Sequence, residues 1–115
     1  MSDSPPDLPE VLRRFGGDRD LLAELVKMFV QESELYGQAL ETALAEASAP
    51  NIRREAHTIK GLLATLADAK GQAMAAALER RVGDDDVSEL EPAVRALQVR
   101  LREVTDFLRQ EFELP

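Results

Sequence analysis

Apolar residues recur along this chain with a spacing of three and four, the period of a helix buried on one side. The clearest run is Leu90, Val94, Leu97, Leu101, Val104 and Leu108, which predicts a long C-terminal helix. A second run, Ile52, Ala56, Ile59, Leu63 and Leu66, predicts a helix opened by Ser48, with Pro50 tolerated in its first turn, and closing near Leu66. Before it, Leu22, Leu25, Phe29, Tyr36, Leu40 and Leu44 mark a long helix capped by Asp18 and reaching about Ala47, with Ser33 interrupting its apolar side. A fourth segment runs from an Asp68 cap through Met74 and Leu78 to about Val82, where Gly83 stops it. A short helix over Pro9 to Phe15 precedes the break at Gly16-Gly17.

Four substantial amphipathic segments on short connections predict an all-α fold, an antiparallel four-helix bundle, with the short N-terminal helix lidding one end. The start of the last helix has two readings: Ser88-x-x-Glu91 has the form of a capping box, whereas Pro92 favours the first helical position. Residues 1–7, polar and proline-bearing, are expected to be disordered, and residues 8–115 to form one domain.

Composition narrows this further. At 115 residues and 44% apolar content there is material for one core, and 4% aromatic content with abundant Ala and Leu favours closely packed helices. No cysteine is present, which removes disulfides and thiolate metal sites. A formal charge of -8 repels a phosphate backbone, so nucleic acid is excluded as a partner. No apolar run is long enough to span a bilayer, and the acidic N-terminus is unlike a signal peptide, so a cytoplasmic location and no membrane contact are expected. Asp84-Asp85-Asp86 lacks the alternate spacing of a calcium loop and reads as a solvated turn. No metal site is expected.

Against that plain background His57 stands out as the one histidine, within Ala56-His57-Thr58-Ile59-Lys60-Gly61. It lies roughly 150° from the centre of its helix's apolar stripe, so the imidazole should face water. A side chain at position 61 would lie over the turn carrying His57, and Gly61 leaves it uncovered. Glycine inside a helix costs about 1 kcal/mol relative to alanine, so another requirement must justify it. That requirement is either access to the imidazole or a tight helix crossing. Lys60 places a cation on the same side, to contact a phosphoryl group or simply to be solvated. Arg53 and Arg54, one turn earlier, together with Ala64, are candidates for partner docking, with solubility as the plainer reading of the arginines.

The stretch AHTIKGLLATLADA resembles the signature of the histidine-containing phosphotransfer (HPt) domains, a helical His-x-x-Lys-Gly preceded by Ala. Phe15-Gly16-Gly17-Asp18 before a long helix and Leu78-Glu79 after the motif extend the resemblance over most of the chain. It implies a carrier that relays a phosphoryl group on His57 between aspartates of response-regulator receiver domains, including those of hybrid sensor histidine kinases. The receiver would supply Mg²⁺, and the carrier would be a monomer with no bound cofactor. The pattern departs at Leu62, where a small residue is usual, at Ala67, where glycine is common, and at Gly71, where an apolar residue usually packs. Different packing of the motif helix is therefore expected.

The chemistry suits an imidazole, a nucleophile that titrates ordinarily near pH 6.5 and is largely neutral at pH 7. Phosphoryl transfer depends chiefly on positioning and charge, so a carrier can leave metal and activating groups to its partner. No phosphate-binding glycine loop is present, so no ATP site or kinase activity is expected. A histidine-kinase dimerisation helix usually has an acid directly after its histidine; here Thr58 follows. The competing function is a helical scaffold or inhibitor that docks receiver or kinase domains without being phosphorylated.

Overall fold

Every amphipathic segment read from the sequence forms a helix. The computed structural model describes residues 4–115, and among them the elements are α1 (Leu8–Arg14), α2 (Arg19–Ala45), α3 (Ala49–Thr65), α4 (Ala69–Arg81) and α5 (Val87–Glu111). Side-chain caps set three of the starts: Asp7 accepts from the Glu10 amide (3.1 Å), Asp18 from Leu21 (3.0 Å) and Ser48 Oγ from Asn51 (3.3 Å). Left-handed residues follow every one of the five helices, Gly16 after α1 and Glu113 after α5 among them. Ala47 (φ 52°) turns the chain after α2, Ala67 (φ 54°) after α3 and Gly83 (φ 98°) after α4. Ala67 stands where the resemblance expects glycine, and its backbone angle shows why glycine suits the position.

The C-terminal helix begins earlier than either expected signal. Glu89, three residues past Asp86, accepts from the Asp86 amide at 3.0 Å, so the reciprocal cap sits two residues before the Ser88/Glu91 pair. Pro92 consequently lies inside α5, exposed, and only the carbonyl of exposed Ser88 loses a helical donor.

Packing closes a ring in which α3 lies against α2 and α4, and α5 against α2 and α4; α1 touches α2. The stripes of α3 and α5 are sealed as expected: Ile52, Ala56, Ile59, Leu63 and Leu66 are at most 1% exposed, and the six apolar residues of α5 at most 2%. On α2 the expectation needs correction. Leu22, Phe29 and Leu40 are buried, but Leu25, Tyr36 and Leu44 are only half-buried, and Val26 and Ala43 take their places in the core. Tyr36 keeps its hydroxyl at the rim on Glu32 (3.0 Å). Ser33 is buried, and its hydroxyl is satisfied by the Val30 carbonyl at 3.2 Å.

Asp68 occupies the position before α4 without capping it. Its carboxylate instead forms a buried ion pair with Arg100 of α5, accepting from Nε at 3.2 Å and from Nη2. The same Nη2 donates to the Ser4 carbonyl at 2.7 Å, and the Asp7 amide donates to the Ala67 carbonyl at 3.1 Å. Residues 4–7 are therefore held against the α3–α4 turn, with Pro6 buried, contrary to the expected disorder. The rest of that expectation, residues 1–3, lies outside the described residues.

A Cβ placed on Gly71 would overlap the Asp68 carboxylate and come within 2.6 Å of Leu63 Cδ1. The space that the resemblance assigns to an apolar side chain at 71 is filled by this ion pair. Leu62 is accommodated at the edge of the core, partly buried. Among the described residues no helix is long and apolar enough to cross a membrane, and no cluster of three His, Cys, Asp or Glu side chains is placed to hold a metal ion.

Candidate functional site

The outward side of α3 presents His57, and the neighbouring α4 presents Glu79 across from it. Burial of Ile52, Ala56, Ile59 and Leu63 fixes the rotation of α3, and the rotation of α4 is fixed by Gly71, Ala75 and Leu78. With both helices set, the side chain of Glu79, next to buried Leu78, reaches toward α3. His57 Nδ1 lies 2.9 Å from Glu79 Oε2, and Lys60 Nζ lies 2.7 Å from Oε1 of the same carboxylate. One carboxylate thus bridges the imidazole and the ammonium.

The Lys60 hydrogen bond holds the Glu79 carboxyl below the ordinary carboxylate range; burial opposes this and the His57 bond adds to it. An ionised carboxylate can only accept hydrogen bonds, so Nδ1 carries the proton and donates. In the neutral ring this leaves the lone pair on the other nitrogen, Nε2. The His57 side chain is 67% exposed, so Nε2 lies within reach of a large partner.

Gly61 is exposed, and a Cβ built on it would meet nothing within 4 Å. No neighbouring helix requires the glycine, which removes the tight-crossing explanation. The remaining candidates are separated by the structure. Arg53 turns to the end of α4, where Nη2 donates to the Val82 carbonyl at 2.6 Å. Arg54 remains largely exposed, 3.6 Å from Glu55. Ala64 lies two turns beyond His57 on the same side of α3, and its carbonyl accepts from Arg14 Nη1 at 3.0 Å. The structure therefore brings His57 and Lys60 together, keeps Gly61 open beside them, and commits Arg53 to a contact within the fold.

The residue that sequence reasoning left without a role is Glu79. Its neighbour Leu78 marks the buried side of α4, so an acid one position on borders that side. Which helix it faces depends on how α3 and α4 pair, and that pairing is not written locally in either segment.

A nucleophilic nitrogen held in one tautomer, with a cation one turn away and no side chain over it, is equipped to carry a group delivered by another protein. No curated protein and no solved structure shows significant similarity to the chain. The family model described as Hpt domain matches residues 24–111, which include most of α2 and the whole of α3, α4 and α5. Membership of this family implies phosphotransfer in two-component signalling, the part of a phosphocarrier that meets receiver domains rather than of a kinase. With the match extending over most of its length and the histidine displayed as the motif requires, this chain belongs to the Hpt domain family.

Proposed function

We propose that this protein relays a phosphoryl group between aspartates of receiver domains, carrying it on Nε2 of His57. One observation supports this above the others: Nδ1 is tied to Glu79 while the ring stays two-thirds exposed, so the nucleophilic nitrogen is both defined and reachable. The Nε2 lone pair attacks the phosphorus of a receiver's aspartyl phosphate, and the P–O bond breaks toward the carboxylate. Lys60 neutralises phosphoryl charge, and Gly61 leaves room for the partner. The receiver brings Mg²⁺; the carrier binds no cofactor of its own.

The working fold is an antiparallel four-helix bundle of α2 to α5 with α1 added at one end, acting as a cytoplasmic monomer. Docking extends onto α2. Its side facing α5 is marked by Gly37 and Glu41, which are bonded to Gln98 and Arg95. Leu21, Met28 and Leu35, each half or more exposed and seven residues apart, lie on the opposite side, facing outward. On this reading they offer an apolar rest for the receiver, with Arg54 as a charged contact.

The test is incubation with a phosphorylated receiver domain. Acid-labile phosphate should appear on this chain and map to His57, and a panel of receivers should show which partners it serves. Binding of a receiver without any transfer would replace the carrier with the scaffold reading.

A further inference from the structure

The stretch matched by the family model begins at residue 24, so α1 lies outside it. α1 nevertheless borders the side of α3 that displays His57. Arg14, its last residue, donates through Nη1 to the Ala64 carbonyl at 3.0 Å and through Nε to Glu10 Oε2 at 3.0 Å. Ala64 is seven residues beyond His57, about 10 Å along α3 and about 20° round it. The Arg14 guanidinium is therefore set at the edge of the face from which the imidazole is offered. A stable protein interface covers about 800 Å² on each partner, a disc about 16 Å in radius. Centred on His57, such a disc reaches Arg14.

Two features suit this residue to recognising an acid. The first is preorganisation: Nε and Nη1 are both held, so the fork gives up little freedom on binding, while the side chain is still 47% exposed. Among the described residues Nη2 has no partner. The second is charge. Glu10 is shared with Arg13, and Asp7 caps the opposite end of the helix, so the end of α1 nearest α3 carries two guanidinia against one carboxylate. The arginines closer to His57 are placed differently: Arg53 is committed to the Val82 carbonyl within the fold, and Arg54 has only Glu55, at 3.6 Å, to hold it.

Building on the carrier reading, we propose that Arg14 is a specificity-determining residue, whose fixed guanidinium pairs with a surface carboxylate on those receiver domains that this chain serves. A receiver with a neutral group at that place leaves the guanidinium unpaired, and one with a cation there is repelled, so both dock less well. The transfer step itself does not involve Arg14, whose bonds are to Glu10 and to a carbonyl two turns from the ring. A helix outside the family match thus selects among partners for a reaction carried by a helix inside it.

The experiment takes the wild-type chain, Arg14→Glu and Arg14→Lys against a panel of receiver domains and measures two quantities. One is the Kd of each unphosphorylated receiver; the other is the rate of transfer from the same receivers once phosphorylated. Loading by phosphoramidate, which uses no docking surface, reports the reactivity of the imidazole in each variant, and every transfer rate is read relative to it. Arg14→Glu should weaken the best-binding receivers about tenfold at an ionic strength of about 0.01 M, where charges act over about 30 Å, and much less at about 1 M. Receivers that bind the wild type poorly should change least. Arg14→Lys, which keeps the charge without the fork, should recover part of the loss. Equal affinities of wild type and Arg14→Glu across the panel would overturn the proposal. A loss identical for every receiver and at both salt concentrations would also overturn it, because that marks a structural anchor. A wild-type chain that binds receivers through Arg14 yet exchanges phosphate with none of them would overturn the carrier reading instead.

Discussion

Two carboxylates stand near opposite ends of α4, and the fold treats them in opposite ways. Asp68, just before the helix, is fully buried against Arg100, whose side chain is 4% exposed. Glu79, near its other end, is partly buried and holds exposed His57 and half-buried Lys60 at the surface. Both form hydrogen-bonded pairs with cations, and the pair energies seen from contact geometry alone look alike. Burial makes the difference: a sealed charge left without its partner costs several kcal/mol, whereas exposed pairs contribute about 0–1 kcal/mol and rearrange freely. The sealed pair suits architecture. The open one suits a site whose partners must change during a reaction.

The contrast breaks first at the open site, through His57→Gln. Transfer should be abolished while thermal stability stays within about 0.5 kcal/mol of wild type, as for most exposed helical positions. Phosphate appearing elsewhere on the variant would show that another residue is the carrier.

The sealed site should behave in reverse. Asp68→Ala leaves Arg100 with only the Ser4 carbonyl and Glu103, and should cost about 3–5 kcal/mol in denaturant unfolding, while the surviving folded fraction still accepts phosphate. A loss below 1 kcal/mol would mean that the pair is as easily replaced as a surface one.

Gly71→Ala sharpens the same side of the comparison. Its methyl group meets the Asp68 carboxylate and Leu63, so overpacking should cost about 1–3 kcal/mol. In an Asp68→Ala background that clash with the carboxylate disappears, and the two effects should add to less than their sum. Strict additivity in a double-mutant cycle would refute the overlap.

The smallest expected change is at the open glycine. Gly61→Gln should raise stability by several tenths of a kcal/mol, because nothing lies where the new side chain would go, yet it should slow transfer by covering the imidazole. A stable variant transferring at the wild-type rate would remove the access role of Gly61.

How much of this was legible beforehand depended on the range of the interaction. The stripes of α3 and α5 were readable because each needs only its own spacing, and the exposure of His57 followed from the same periodicity. The core of α2 was read less well. Large side chains at Leu25, Tyr36 and Leu44 drew attention from Val26 and Ala43, which face inward more directly along a 27-residue helix. The start of α5 was obscured by two overlapping cap patterns, of which Asp86 with Glu89 prevailed.

What could not be read were contacts between distant segments. Glu79 meets His57 across 22 positions, Arg100 meets Asp68 across 32, and Ser4 is pinned from 96 positions away. The absent side chain of Gly71 was visible as a departure from the resemblance, but its cause lay in the arginine of another helix.

The interlock of Gly71, Asp68 and Arg100 also constrains the order in which such a sequence can change. A side chain at 71 is obstructed while Asp68 keeps its place, and a small residue at 68 strands a buried guanidinium. Starting from this chain, an apolar residue at 71 becomes accessible only when both partners of the ion pair change, because removing either one first leaves the other charge buried and unpaired. The three positions form one evolutionary unit, even though no two of them are neighbours in sequence.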